Sequence, residues 1–431
     1  MPADRLAPMM MSLRSSAVVL ALSVAGSVFA AEPIDVADTD WPWWRGHNRD
    51  GVARTADKVP LSWGENRNIH WKVPVPGRGH SSPTVVGSLV FLTTSDTAKK
   101  TQSVLAFDRA TGKPAWTTVV NTGGFPAGIH EKNTHASGSV ASDGKRVFAL
   151  FYNHDAVQTV ALDFKGEILW NKHVKPYAPR VFEFGYGCST VIEGDHVIVA
   201  GDYEKGGFLA ALNRETGAEA WRAKRPGNSL NWSTPSVATI GGKRQILIGG
   251  FQMIASYSPK DGALLWKAPG ATAKASCGSP VWDEGRVYMS NGYPERITSA
   301  VEAGTGKILW TNQDKSYEQS LLAHKGYLYT LNDNGIARCW RGRDGKEMWS
   351  ARLGGPVSAS PVLVGDRIYV ANERGKFFVF KADPEAFTKL GESTLGSQIM
   401  ATPAFCGDRI YARVIARQGG VQEYLYCIGE K

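Results

Sequence analysis

The stretch AFDRATGKPAW, residues 106–116, decides the fold because the chain writes it again and again. ETGAEAW follows at 215–221, KDGALLW at 260–266, GTGKILW at 304–310 and RDGKEMW at 343–349. The tryptophans Trp116, Trp170, Trp221, Trp266, Trp310 and Trp349 are 54, 51, 45, 44 and 39 residues apart. A small residue stands ten positions before most of them, at Ala106, Ala211, Ser256, Ala300 and Cys339; in the second copy Ala161 stands nine before Trp170. Between the two lies a polar turn such as DRATG or NRETG that ends in glycine. Glycine accepts the positive φ of a tight turn, so each copy ends as strand, turn, strand and tryptophan.

The front halves repeat as well. SSPTVVGSLVFLTT (81–94), STPSVATIGGKRQILIGG (233–250), GSPVWDEGRVYMSN (278–291) and SASPVLVGDRIYVAN (358–372) each pair a short strand with an alternating one across a turn. Four strands per copy at a ~45-residue period predict the blades of a β-propeller. Eight copies start near residues 80, 135, 186, 232, 277, 317, 358 and 400, so the fold expected is an all-β, eight-bladed propeller. The eighth copy stops one strand short, and NIHWKVPVPG (68–77) stands alone near the N-terminus, similar to LLWKAPG at 264–270. Residues 67–73, carrying Trp71, are expected to supply the missing outer strand and close the ring, which removes open sheet edges. The seventh copy departs from the pattern, with Pro384 in the turn and Leu390 near the tryptophan position.

The A-x-D-x-x-T-G-x-x-x-W unit resembles the tryptophan-docking motif of the pyrroloquinoline quinone (PQQ) repeat family, over roughly residues 67–428. That family holds both quinoprotein alcohol dehydrogenases and non-enzymatic outer-membrane assembly factors of the BamB type. The resemblance implies that Trp71, Trp116, Trp170, Trp221, Trp266, Trp310 and Trp349 pack between adjacent blades. A fully buried indole removes ~150–250 Å² from water, an upper bound of roughly 4–6 kcal/mol each.

The flanks carry other signals. Arg5 and Arg14 precede the apolar run AVVLALSVAGSV (17–28), which reads as a secretory signal cleaved after Ala30. The run is short of the ~20 apolar residues a membrane span needs. A soluble periplasmic or secreted monomer is expected, with residues 31–66 as a lead-in and 67–431 as the propeller. In the lead-in, Trp41, Trp43 and Trp44 of WPWWRGHNRDG (41–51) suit a flat ligand, but the stretch reads better as an aromatic patch pinning the segment onto the ring. The formal charge of +9 falls to +8 on cleavage, and the basic residues are scattered, which argues against nucleic acid. Five cysteines, odd in number and far apart, exclude a disulfide framework and form no CxxC.

Aligning the copies on SSP, STP, GSP and ASP places one residue per blade at the mouth of the axial channel: His80, His135, Tyr186, Trp232, Cys277, Tyr317, Ser358 and Met400. A concave aromatic mouth with a few polar groups suits a ligand, although such residues also serve simply to plug a channel. No metal site is expected from one histidine per blade. Two functions of different class follow. One is a non-catalytic scaffold of the cell envelope, binding a protein or polysaccharide without a cofactor. The other is a quinoprotein dehydrogenase with PQQ and Ca²⁺ in the funnel, for which Glu131, Glu183 and Glu318 are the carboxylates near the mouth. The sequence carries no adjacent cysteine pair, which the resemblance associates with the dehydrogenases.

Overall fold

The computed structural model describes residue 1 and residues 33–54, 58–227, 230–417 and 419–431. The signal segment and its cleavage point lie outside these residues. Eight four-stranded antiparallel sheets follow one another along the chain, each a blade running from the axis outward. The first blade holds Thr84–Val86, Leu89–Asp96, Thr101–Asp108 and Pro114–Thr122. The eighth joins Ala404–Cys406, Arg409–Arg417 and Val421–Ile428 to the N-terminal strand Ile69–Val75. Trp71 pairs with Cys427 there, so the ring is closed by its own first strand. Among the described residues every regular element is a strand, and no helix is long and apolar enough to cross a membrane.

The spacing of tryptophan and small residue has a direct cause. Ala106 pairs with Trp116 on one side and with Phe91 on the other. The small side chain leaves a gap across which the indole and the Phe91 ring meet, 5.9 Å apart. The same three-strand row recurs as Phe148–Ala161–Trp170, Tyr288–Ala300–Trp310, Tyr329–Cys339–Trp349 and Tyr411–Cys427–Trp71. Their ring centroids lie 6.0, 6.2, 6.1 and 5.8 Å apart. Immediately after the small residue the register shifts by a β-bulge in each outer hairpin, which bends the outer strand and re-aims its side chains.

The indoles then cross the seams between blades. Trp71 Nε1 donates to Arg109 O (3.2 Å), Trp116 to Phe164 O (2.8 Å), Trp170 to Arg214 O (3.0 Å) and Trp221 to Pro259 O (3.1 Å). Trp310 donates to Gly342 O (2.7 Å) and Trp349 to Asp383 O (2.8 Å). Each acceptor belongs to the outer turn of the following blade. The turn glycine has a second duty at five of these seams. A Cβ on Gly112, Gly166, Gly217, Gly262 or Gly345 would stand 2.5–2.8 Å from the indole of the preceding blade. Trp266 differs: it donates to Gln245 Oε1 of its own blade (2.8 Å). Of the seven, Trp170 and Trp266 are buried and the other five half-buried, so the bound above for full burial overstates those five most.

The seventh blade has no such tryptophan, and the lead-in compensates. Trp63, 2 % exposed, stacks on Tyr369 at 6.4 Å and meets Phe377 edge-on at 5.0 Å. Its backbone N–H donates to Ser393 Oγ, and Tyr426 of the eighth blade donates to Glu65. Residues 59–65 therefore fill the seam between the seventh and eighth blades.

The seam glycines yield a prediction. Gly217 has φ +69° with Trp170 2.8 Å from its virtual Cβ, whereas Gly194 has φ +54° and open space around it. Gly194→Ala is expected to lose about 1–2 kcal/mol from the left-handed backbone alone. Gly217→Ala adds the collision, for a total of about 2–5 kcal/mol. Urea unfolding of the two variants checks this; equal losses contradict the seam contact.

Candidate functional site

The innermost strands run from the mouth of the ring toward its base, and a belt of hydroxyls marks their level. Ser82 N donates to Ser139 Oγ, Ser139 N to Ser189 Oγ and Ser189 N to Thr234 Oγ1, at 2.8–3.0 Å. Ser279 N donates to Ser320 Oγ, Ser320 N to Ser360 Oγ and Ser360 N to Thr402 Oγ1, at 2.8–2.9 Å. The belt lies on the segments that enter the innermost strands, and the residue two positions before each belt hydroxyl also reaches the axis. Those residues are His80, Ser137, Gly187, Trp232, Cys277, Glu318, Ser358 and Met400, and all eight line one funnel of about 220 Å³.

This corrects the alignment in three blades. His135 lies outside the funnel, stacked on Phe125 at 4.2 Å. Tyr186 is buried behind the wall, donating to Ala200 O (2.8 Å) and packed edge-on against Tyr177. Tyr317 does line the funnel, but Glu318 holds the equivalent position. The reason is local: the belt residue of these blades is followed by Val140, Thr190 and Leu321 instead of proline, and without the Ser-Pro marker the phase slips by one or two residues. Of the three carboxylates near the mouth, only Glu318 faces the cavity. Glu183 lies against Gly128 under the rim, and Glu131 is exposed.

The charged wall is built from separate blades. Lys132, on the loop entering the second blade, reaches across the axis to Glu373 of the seventh (2.8 Å) and Glu318 of the sixth (3.6 Å). Ser358 donates to Glu318 and, at 2.7 Å, shares Glu373 Oε1. Burial pushes the Glu318 carboxyl above its usual range, against the pull of Lys132. Burial also disfavours the Lys132 ammonium, but Glu318 and Glu373 outweigh it and hold the group above its ordinary value. Burial raises the thiol of Cys277 and the phenol of Tyr317, so neither is an activated nucleophile.

Another part of the lining is aromatic. Trp232 is held by its N–H to Ser276 O (2.8 Å) and by Nε1 to Gly185 O (3.0 Å). Phe184 lies 5.7 Å from it, and His130 lies 5.0 Å from Phe184. Asn133 Nδ2 donates to Phe184 O (2.6 Å), which ties the loop before the second blade to the loop before the third. Val181 and Phe184 on that rim are 66 % and 37 % exposed.

The base is covered by the lead-in. Trp41 forms a bridge with Val85 of the first blade and Val52 one with Leu363 of the seventh. Between them Arg45 donates to Leu321 O of the sixth blade (2.8 Å), and Arg49 donates to Ile192 O of the third while lying over the Trp43 ring. Trp44 of this segment lines the funnel. The sequence offers Trp41, Trp43 and Trp44 together as a fastener or a flat-ligand site, and of these three Trp44 lines the cavity. Sequence reading missed Lys132 and Glu373, which come from loops outside the repeat.

Around the funnel the remaining candidates serve the framework. Arg78 and Arg413 hold Glu423 at 2.8 and 2.6 Å; Asn231 donates to Asp202, which is paired with Arg225. All five cysteines are free. Among the described residues no group of three or more His, Cys, Asp or Glu is arranged to hold a metal ion.

Comparison with known proteins places this geometry. The family described as outer membrane protein assembly factor BamB matches residues 63–129, 100–351 and 324–384. A relative named outer membrane protein assembly factor BamB, from Bordetella pertussis, is 22 % identical over 322 residues, covering 72 % of this chain and 74 % of its own. The crystal structure of BamB from Moraxella catarrhalis superposes with a TM-score of 0.58 at 15 % identity, over 83 % of this chain and 99 % of that one. A europium-containing methanol dehydrogenase superposes with a TM-score of 0.66 at 13 % identity, over 91 % of this chain and 98 % of that one. At such identities the two structures share the fold.

The funnel wall carries a pH prediction. Burial depresses the His80 imidazole to about 4, with Arg413 and Arg78 opposing Glu423. A base whose folded value lies below its unfolded value takes up its proton on unfolding. Stability is therefore intact above ~6.5 and falls as the pH drops toward the folded value. Between about pH 7 and about pH 4.5 the protein is expected to lose about 2 kcal/mol more than His80→Gln. Urea titrations at the two pH values measure it; equal losses contradict the buried neutral histidine.

Proposed function

The chain belongs to the family described as outer membrane protein assembly factor BamB, and from that premise we propose that it is an exported, non-catalytic scaffold of the cell envelope that holds a protein partner on its funnel face. The observation that carries the reading is the asymmetry of the two faces. The base is occupied by the chain's own lead-in, through Trp41, Arg45, Arg49 and Val52. The funnel face instead presents a rim of loops with Val181 and Phe184 exposed. An exposed aromatic beside a concave centre, here Phe184, is the kind of anchor a protein partner uses. The basic and apolar N-terminal segment supports export, and the relatives' shared name supports a place in envelope assembly.

The fold likeness to a methanol dehydrogenase raises the PQQ and Ca²⁺ alternative, and the residues present do not fit it. A cavity of about 220 Å³ is smaller than the ~300–1,000 Å³ of cofactor sites. The two carboxylates that face each other there are already bridged by Lys132 and Ser358. We therefore derive no chemistry through that cofactor.

Site-specific photocrosslinking in the native envelope tests the scaffold reading. A crosslinker at Phe184 or Val181 is expected to give discrete protein adducts, lost in Phe184→Asp when the crosslinker sits at Val181. A crosslinker at Gly242, on a base-side hairpin, is expected to give none of them. The same adducts from both faces, or none from the rim, contradict it.

A further inference from the structure

The funnel holds three tiers of groups that partner binding at the rim does not use. The floor is the hydroxyl belt. Ser139, Ser189, Thr234, Ser320 and Thr402 line the funnel, and each accepts a backbone N–H from the preceding blade. A hydroxyl that accepts still has its own proton to give, so the floor offers donors to the axis. Above it, Trp232 forms a flat apolar wall fixed at two points. On the same lining, Glu318 supplies acceptors and Lys132 a donor, fixed to one another through Glu373 and Ser358.

This set discriminates between ligand classes. A cation must displace Lys132 from its two carboxylates. An anion meets the like charges of Glu318 and Glu373. A bare apolar ring leaves the donor floor without acceptors, which costs free energy in a site that water leaves. A neutral hydroxylated ring meets every tier, since each hydroxyl both donates and accepts and its C–H face packs on an indole. Size narrows the class further. A cavity of ~150 Å³ holds benzene, so about 220 Å³ accommodates one six-membered ring with its substituents.

We infer that the funnel binds a single neutral sugar ring, stacked on Trp232 and hydrogen-bonded by Glu318, Lys132 and the hydroxyl belt. The ring comes either as a free hexose or as the terminal unit of a glycan. The site shares Phe184, 5.7 Å from Trp232, with the rim proposed for a protein partner, but neither assignment rests on the other.

The test is isothermal titration and saturation-transfer NMR on the purified protein with glucose, galactose, mannose and their oligosaccharides, beside glucosamine and glucuronate. At least one neutral sugar is expected to bind with Kd below about 10 mM, and its charged analogue at least about tenfold more weakly. Trp232→Ala is expected to weaken binding at least about tenfold, and Trp232→Phe to restore part of it. Should Trp232→Ala fail to fold, Ser358→Ala, which frees the carboxylates without touching the indole, is expected to change the affinity by at least about threefold. An oligosaccharide that binds at least about tenfold tighter than its free hexose identifies a glycan terminus; equal affinities identify the free sugar. Silence of every neutral sugar against a protein with an intact melting curve overturns the inference. So does binding unchanged in both Trp232→Ala and Ser358→Ala, or a preference for glucosamine or glucuronate.

Discussion

One contact organises this molecule: the indole of one blade laid on the turn glycine of the next, with its N–H given to that turn's carbonyl. A four-stranded sheet has two apolar faces and buries neither by itself. Tryptophan supplies a large apolar plate and a single donor, and a glycine in left-handed conformation supplies a turn with no side chain above it. Each partner explains the other. The turn needs glycine for its backbone, and the neighbour's indole needs that position empty. The small residue of the middle strand adds a third term, because it lets the same ring reach an aromatic of its own blade.

The exceptions follow the same physics. Trp266 turns back to Gln245, and there the next blade's Gly306 faces Lys267 O instead of an indole. The seventh blade carries Gly391 at the indole's position, with Leu390 in the adjoining bulge, and Trp63 from the lead-in fills that seam. The lead-in then continues the service at the base, tying the first, third, sixth and seventh blades together. One end of the axial channel is thereby covered, and the funnel opens at the other. The ring's architecture thus settles which face is free before any side chain of the mouth is considered.

Blade number and ring closure were legible in the sequence because they rest on a periodic packing need. Trp71 stood alone with the context of an outer strand, and the final copy lacked one, so the pairing with Cys427 was the way to complete the sheet. The mouth was legible only where the same regularity reached it. His80, Trp232, Cys277, Ser358 and Met400 sit two residues before a Ser-Pro or Thr-Pro pair and line the funnel. His135 and Tyr186 were misplaced because their blades lack the proline, so the alignment had no fixed marker there and slipped by two residues at His135, against Ser137, and by one at Tyr186, against Gly187. Lys132 and Glu373 belong to loops whose lengths differ from blade to blade. Their meeting across the axis is a property of the closed ring and leaves no local signal. Trp63 was hidden for a similar reason: its partners are more than 300 residues away.

The seam account is tested most directly by hydrogen exchange of the indole N–H groups, followed by NMR with ¹⁵N-labelled tryptophan. The six that donate across a seam, Trp71, Trp116, Trp170, Trp221, Trp310 and Trp349, are expected to exchange with one common free energy equal to that of global unfolding. An indole of Trp71 that exchanges far faster than the other five would show a ring whose first strand does not lock it, and would contradict the account.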